Sequence, residues 1–256
     1  MFSLVAVSAE LAEQLVAVES GGEDAVHQAR TRVRRLRSIL GVYKRAFDVE
    51  QNDRMRARLK ALGDRLGEVR DLEVRAAALE DLLEVDDAPE TIEAVEALAA
   101  EHRSAHASAL ASLVRHLDTR GHRRLLADLQ FYAAEPPLRG RGRKHPRRII
   151  RRGLRSATKR VLADGDDSLE ALHATRKAAR RLRYAAEAVA DDLGRKAVRL
   201  AAEAEAIHDA LGDHRDATLL ARLLRENGLP GPAVRAEHAA AAALEPLDAL
   251  LDALRD

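Results

Sequence analysis

Residues 25–37 read Ala25-Val26-His27-Gln28-Ala29-Arg30-Thr31-Arg32-Val33-Arg34-Arg35-Leu36-Arg37, and residues 171–183 read Ala171-Leu172-His173-Ala174-Thr175-Arg176-Lys177-Ala178-Ala179-Arg180-Arg181-Leu182-Arg183. Each holds a histidine, an arginine three positions on, and Arg-Arg-Leu-Arg starting four positions later, at an offset of 146 residues. A second pair, Leu66-Gly67-Glu68-Val69-Arg70-Asp71 and Leu211-Gly212-Asp213-His214-Arg215-Asp216, recurs at an offset of 145. Two matches at nearly one offset mark a tandem duplication.

On a helical wheel at about 100° per residue, His27, Arg30, Arg34 and Arg37 form one stripe roughly 80° wide. Val33, Leu36, Ile39, Leu40 and Tyr43 gather on the opposite side. In the second copy, His173, Arg176, Arg180 and Arg183 make the same stripe, opposed by Ala179, Leu182, Ala185, Ala186 and Val189. Each segment therefore reads as an amphipathic helix. Like charges at i,i+3 and i,i+4 repel by a few tenths of a kcal/mol per pair on an exposed helix, roughly as much as opposite charges gain. Glu187 dilutes the second stripe, whereas Gly41 holds the equivalent place in the first. Arginine presents a planar donor fork matched to phosphate oxygens, so a stripe built from arginine fits an anion site better than a solvated face.

The rest of the 256-residue chain is consistent with an all-α fold. Aromatic residues make up only 2 %, so Leu, Ala, Val and Ile must build the core. Ala, Leu, Glu and Arg, all good helix formers, dominate the composition. The absence of cysteine excludes disulfides, thiolate nucleophiles and cysteine-based zinc sites, and fits a reducing cytoplasm. Residues 1–18 are partly apolar but include Glu10 and Glu13, and the first basic residue is Arg30. That stretch reads as an amphipathic helix, neither a signal peptide nor a membrane span.

Glu135-Pro136-Pro137-Leu138-Arg139-Gly140-Arg141-Gly142-Arg143 is the strongest Pro/Gly cluster and marks the join between the copies. The chain is read as one domain: a first helical repeat over 1–134, a linker over 135–145 and a second repeat over 146–256. Helices are expected near 3–19, 23–46, 51–84, 88–117 and 119–134, then near 147–163, 168–190, 193–226 and 231–254. Breaks are expected at 20–22, 86–89, 164–167 and 227–230. Short connections favour antiparallel neighbours, so each half should be a helical bundle.

The net charge of +1 conceals segregation: residues 27–75 carry +7 and residues 119–183 carry +13, while 1–26, 76–118 and 184–256 carry −5, −8 and −6. Two concentrated basic zones suggest a focused anion site.

His27 through Arg37, His173 through Arg183 with the following Tyr184-Ala185-Ala186-Glu187, and the two LGxxRD segments together resemble the CHAD family, the conserved histidine α-helical domain. The resemblance spans essentially the whole chain. It implies two four-helix bundles related by a pseudo-twofold axis, with a basic central groove or pore that binds inorganic polyphosphate without catalysis. It also implies association with polyphosphate granules. Carried over by position, His27, Arg30, Arg34 and Arg37 would contact phosphates from one half, and His173, Arg176, Arg180 and Arg183 from the other. Lys177, whose counterpart is Thr31, would contact them asymmetrically. Arg70 and Arg215 would be further ligands, with Asp71 and Asp216 orienting arginines. Arg35 and Arg181, off the stripe, could serve either the anion or a neighbouring helix.

A third basic element runs from Lys144 to Arg160, in which Arg148, Arg151, Arg152, Arg155 and Lys159 follow helical spacing on one face. The matching helix near 3–19 carries no Lys or Arg, so the anion track should be skewed toward the second half; Arg151, Arg155 and Lys159 join the expected ligands. The alternative for 139–146 is a flexible basic linker.

Three other readings compete. A metal-dependent phosphohydrolase would need ligand clusters; His102 and His106 are spaced i,i+4, but Glu101-His102-Arg103-Ser104-Ala105-His106 lacks the HExxH order. Nucleic acid, as a non-specific competitor, would use the same arginines, although only Tyr184 lies beside a basic stripe to stack on a base. An interaction module would dock an acidic protein and ignore free polyphosphate. No cofactor is expected. Relatives can accompany a CYTH-type triphosphatase, whose ExExK signature is absent from this chain. If His27 and His173 touch the anion, binding should tighten as pH falls through about 6.5.

Overall fold

A computed structural model of the chain describes residues 3–84, 87–163 and 168–255. It is built from α1 (Leu4–Glu19), α2 (Ala25–Val42), α3 (Val49–Asp81), α4 (Pro89–Leu117), α5 (Arg120–Ala134) and α6 (Gly140–Lys144). These are followed by α7 (Pro146–Val161), α8 (Leu169–Glu187), α9 (Ala190–Leu193), α10 (Arg195–Glu226), α11 (Pro230–Leu244) and α12 (Leu247–Arg255). A 3-10 turn at Lys44–Ala46 sits between α2 and α3. No strand occurs among the described residues; Phe47 and Leu138 make an isolated bridge.

Local chemistry sets most boundaries. The Asp48 side chain accepts a hydrogen bond from the Gln51 amide at 3.1 Å and opens α3. Thr119 does the same for His122 at the start of α5, and Ser168 for Ala171 at the start of α8. These contacts satisfy amides that a helix start leaves orphaned. Proline at the first position opens α4, α7 and α11, where its missing N–H is not needed.

The expected helices differ from the observed ones at three places. The helix expected over 23–46 stops at Val42, because Asn52 of α3 donates its side-chain amide to the Leu40 carbonyl at 3.2 Å while the chain reverses through the 3-10 turn. The helix expected over 168–190 ends at Glu187, and α9 is separated from α10 by Gly194, whose φ of 62° lies in the left-handed region. The helix expected over 231–254 is split at Glu245-Pro246, where proline has no amide to donate. The break expected at 164–167 lies outside the described residues, as does Asp86 of the one expected at 86–89.

The joining segment is packed on the first half. The Asp48 amide donates to the Pro137 carbonyl at 2.7 Å and the Arg139 amide to the Ala46 carbonyl at 2.8 Å. Residues 140–144 form a helical turn, so the Pro/Gly cluster carries helix where none was expected. Gly142 is required there: a Cβ would lie 2.4 Å from the Ala46 carbonyl oxygen.

The main core runs through both copies of the repeat. It takes in Leu11 and Leu15 of α1, Val33 and Leu36 of α2, Leu59 and Leu66 of α3, Ala179, Leu182 and Ala185 of α8, and Ile207 and Leu211 of α10. The apolar faces read from the sequence are the buried ones: Val33, Leu36, Ile39, Leu40 and Tyr43 are each 1 % exposed or less. Helix α2 packs on α1, α3 and α8, and α8 packs on α2, α7 and α10. The Tyr43 hydroxyl donates to the Ala185 carbonyl at 2.7 Å, tying α2 to α8 inside the core. A second, smaller core forms where the far ends of α3 and α4 meet α10 and α11, around Leu79, Val95, Leu224 and Ala233. There Arg235 grips Asp87 through two hydrogen bonds, at 3.0 and 2.7 Å. The two copies thus touch at the α2–α8 contact and again at these tips.

Candidate functional site

Packing α2 against α8 buries their apolar faces together and brings their cationic stripes side by side. Arg34 is pushed down to about 10, first by burial, then by Arg30, and also by Arg176 from the other copy. Arg180 is pushed down to about 9, first by burial, then by Arg34 and Arg176. Arg176 is lowered by burial and by Arg215 and Arg30, with Asp216 opposing. A guanidinium stays charged at neutral pH, so these depressions are borne by the free protein as unfavourable energy. The Nε atoms of Arg176 and Arg180 are buried and donate to no acceptor among the described residues.

The duplicated glycine of the LGxxRD segments gives two of these arginines their place. A Cβ on Gly67 would lie 3.5 Å from the Arg30 guanidinium, and one on Gly212 would lie 3.3 Å from that of Arg176. Each arginine therefore lies flat against a bare helix backbone on the neighbouring α3 or α10. Asp71, four residues beyond Gly67, pairs with Arg30 at 3.0 Å. Asp216 stands in electrostatic reach of Arg176 and Arg215, its own carboxyl raised by burial.

The histidines lie at the edge of this group. His27 is lowered by burial and by Arg70, Arg34 and Arg30, with Asp24 opposing. His173 is lowered by burial, Lys177, Arg215, Arg176 and Arg180, and its Nδ1 is buried without a partner among the described residues. The structure thus brings His27, Arg30, Arg34, Arg70, His173, Arg176, Lys177, Arg180 and Arg215 into one neighbourhood. Within it Arg70 also pairs with Glu73 at 2.8 Å.

Three groups of expected site residues lie elsewhere. Arg183 is engaged by Glu187 at 2.9 Å and by Glu205 at 2.6 Å. Glu187 also receives Arg35 across the α2–α8 contact, and both arginines lie over the Tyr184 ring, at 5.8 Å for Arg35 and 5.4 Å for Arg183. Arg35 therefore serves the neighbouring helix. Arg37 faces α3, in reach of Asp64, Arg56 and Arg181. Arg151, Arg155 and Lys159 line a separate cavity of about 1140 Å³ along α7.

His208, on α10, was not singled out in the sequence. It is only 7 % exposed, and burial together with Arg176, Arg180, Arg34 and Arg183 pushes its imidazole down to about 3. Its Nδ1 has no hydrogen-bond partner among the described residues. The signal available was the repeat itself, since by the 145-residue offset His208 stands where the first copy has Gly63. Among the described residues no group of three or more His, Asp or Glu side chains could hold a metal ion. His102 contacts the Leu98 carbonyl through Nδ1 at 2.9 Å. No helix among the described residues is long and apolar enough to cross a membrane.

Comparison with known proteins bears on this arrangement. The family model of the CHAD domain matches residues 6–225. The uncharacterized protein Rv2226 of Mycobacterium tuberculosis H37Rv is 31 % identical over 224 residues, covering 82 % of this chain and 42 % of the relative. MT2285 of the CDC 1551 strain matches to the same extent. The chain thus spans under half the length of these curated relatives. Among solved structures, PptA from Streptomyces chartreusis aligns with a TM-score of 0.77 at 19 % identity, covering 97 % of this chain and 96 % of that one. The CHAD domain from the plant Ricinus communis aligns with a TM-score of 0.68 at 23 % identity, covering 98 % and 89 %. At these identities the likeness is one of fold.

Proposed function

The chain belongs to the CHAD-domain family, and from that premise we propose that it binds inorganic polyphosphate, without catalysis, between its two repeats. In this reading the repeats are two helical bundles related by a pseudo-twofold axis. The space framed by α2, α8, α3 and α10 is the basic groove that receives the anion.

One observation carries the proposal. Arg30, Arg34, Arg176 and Arg180 converge from two helices at a half-buried place where Asp71, Asp209 and Asp216 do not balance them and, among the described residues, two Nε donors find no acceptor. Holding like charges together in a partly dry environment is unfavourable unless a polyvalent anion occupies the gap. Guanidinium forks lying on glycine backbones are oriented in advance for phosphate oxygens. His27, His173, Arg70, Lys177 and Arg215 border the same gap and would meet further phosphates.

Nucleic acid offers the same phosphate charge, but the tyrosine nearest the stripe, Tyr184, is 5 % exposed and covered by Arg35 and Arg183, so it is withdrawn from base stacking. Backbone binding at low salt is the role left to it. Placement in the cytoplasm, association with polyphosphate granules and cooperation with a CYTH-type triphosphatase belong to the same proposal.

The test is titration of the full chain with long-chain polyphosphate at physiological salt, against duplex and single-stranded DNA. Polyphosphate should win the competition, and replacing Arg34 and Arg180 together by alanine should abolish its binding while helical content persists. Equal affinity for DNA, or polyphosphate binding that survives the double replacement, would overturn the proposal.

A further inference from the structure

The two copies of the repeat differ where α2 and α8 leave the central arginines. In the second copy that exit is closed by carboxylates: Glu187 holds Arg183 and Arg35, and Glu205 holds Arg183 from α10. By the repeat offsets, Glu187 corresponds to Gly41 and Glu205 to Lys60. The first copy therefore lacks both carboxylates at the equivalent exit.

Cations occupy it instead. Arg37 reaches α3 beside Gly63, with its Nη1 3.8 Å from a Cβ placed there. Arg56 lies against Gly41, its Nη2 3.6 Å from a Cβ at that glycine. Arg181 adjoins Arg56 and Arg160. Among the described residues, two carboxylates face this group, both exposed: Asp53 pairs with Arg56 at 3.1 Å, and Asp64 pairs with Lys60 at 2.6 Å and draws on Arg37.

Gly41 and Arg160 also line the α7 cavity of about 1140 Å³. Arg148, Arg151, Arg152, Arg155 and Lys159 line the same cavity along one face of α7, and Lys44 and Arg45 line it from the 3-10 turn that follows α2. Among the described residues, no Asp or Glu contributes to its lining. Gly153 sets the approach: a Cβ there would lie 2.8 Å from the Tyr43 ring, so only a glycine lets α7 lie this close to the end of α2.

The geometry points to a one-sided track, in which a long polyphosphate chain leaves the central arginines past Gly41, Arg37 and Arg181 and continues along the basic face of α7. Glu187 and Glu205 turn the chain away from the opposite exit. The inference rests on the polyphosphate reading and adds to it a direction and a length requirement. A short chain fills only the space between α2 and α8, whereas a long one also neutralises the α7 cations.

The experiment compares tripolyphosphate with long-chain polyphosphate on the 256-residue chain, using wild type, the triple replacement Arg151→Ala/Arg155→Ala/Lys159→Ala, and Gly41→Glu. The three α7 side chains are exposed, so the triple replacement should leave the fold intact. It should weaken long-chain binding on the order of tenfold to a hundredfold and reduce the salt slope by about 2, at roughly 0.7 per lost phosphate contact. Tripolyphosphate binding should stay within about twofold. Gly41→Glu, which supplies the carboxylate of the closed exit, should act in the same direction on the long chain alone. If the triple replacement leaves long-chain affinity and salt slope unchanged, or weakens both ligands equally, the track is wrong while the central site stands. If wild type binds neither ligand, the polyphosphate reading itself fails.

Discussion

Replacing Arg180 by methionine separates a structural arginine from one kept for a ligand. Burial, Arg34 and Arg176 push its guanidinium well below its ordinary value, down to about 9. At about 1.4 kcal/mol per pKa unit, that depression sets a ceiling on the order of 5 kcal/mol on the strain of keeping it charged. The whole penalty is present at pH 7, because folded and unfolded forms are both protonated there; it would be relieved only as pH rises above about 9 toward the range of a free guanidinium. Water entering the unliganded site recovers part of the ceiling, so the expected gain is about 1–2 kcal/mol. Methionine retains the unbranched stem and the helix propensity. For a chain of this size that gain should raise the melting temperature by roughly 2–8 °C. The same replacement should weaken polyphosphate binding by about ten- to a hundredfold, the worth of a charge-assisted hydrogen bond. Arg183→Met is the contrasting measurement, since it takes the Arg183 partner from Glu205 and leaves Glu187 with Arg35, and it should lower the melting temperature while changing affinity little. Thermal unfolding with and without ligand, followed by circular dichroism, reads both effects. A lowered melting temperature for Arg180→Met, with helicity and binding unchanged, would refute the view that the central arginines are strained in the free protein.

Gly212→Ala places a methyl 3.3 Å from the Arg176 guanidinium; affinity should fall about tenfold while stability stays within about 1 kcal/mol, because the helix gains from alanine what the contact loses. His27, His173 and His208 are all lowered below 6.5 by burial and by neighbouring arginines. A bound polyanion raises them, so binding should take up protons and tighten as pH falls, and the lowered free-state values extend that window below the one expected from unperturbed histidine. Calorimetry in buffers of different ionisation enthalpy would detect the uptake, and its absence would remove the histidines from the site. In the free protein His208 titrates at about 3 against 6.5 unfolded, so stability should decline as pH drops from 6.5 toward 3. Tyr43→Phe leaves the Ala185 carbonyl without its 2.7 Å donor inside the core; a loss of about 1–3 kcal/mol in denaturant unfolding is expected.

Much of this protein was written in its periodicity. The repeat at 146 residues marked the duplication, and a 3.6-residue rhythm placed Val33, Leu36 and Ile39 on a face that packing then buried, because apolar spacing constrains which side of a helix can leave water. The same wheel put His27, Arg30 and Arg34 together, since residues three and four apart share a face whatever surrounds them. What a wheel lacks is the neighbour. Arg183 has the same angle as Arg37 and the same sequence frame, yet Glu205 from α10 takes it into an ion pair while Arg37 turns to α3. His208 had no motif of its own and became part of the site only because α10 crosses α8 at that turn. The role of Gly67 and Gly212 as beds for Arg30 and Arg176 likewise required knowing which helix each arginine meets. Local sequence determines the periodic elements and their faces, since those follow from short-range sterics and burial. Pairing between charges, and the cavity along α7, depend on contacts between residues far apart in the chain, and only the tertiary packing decided them.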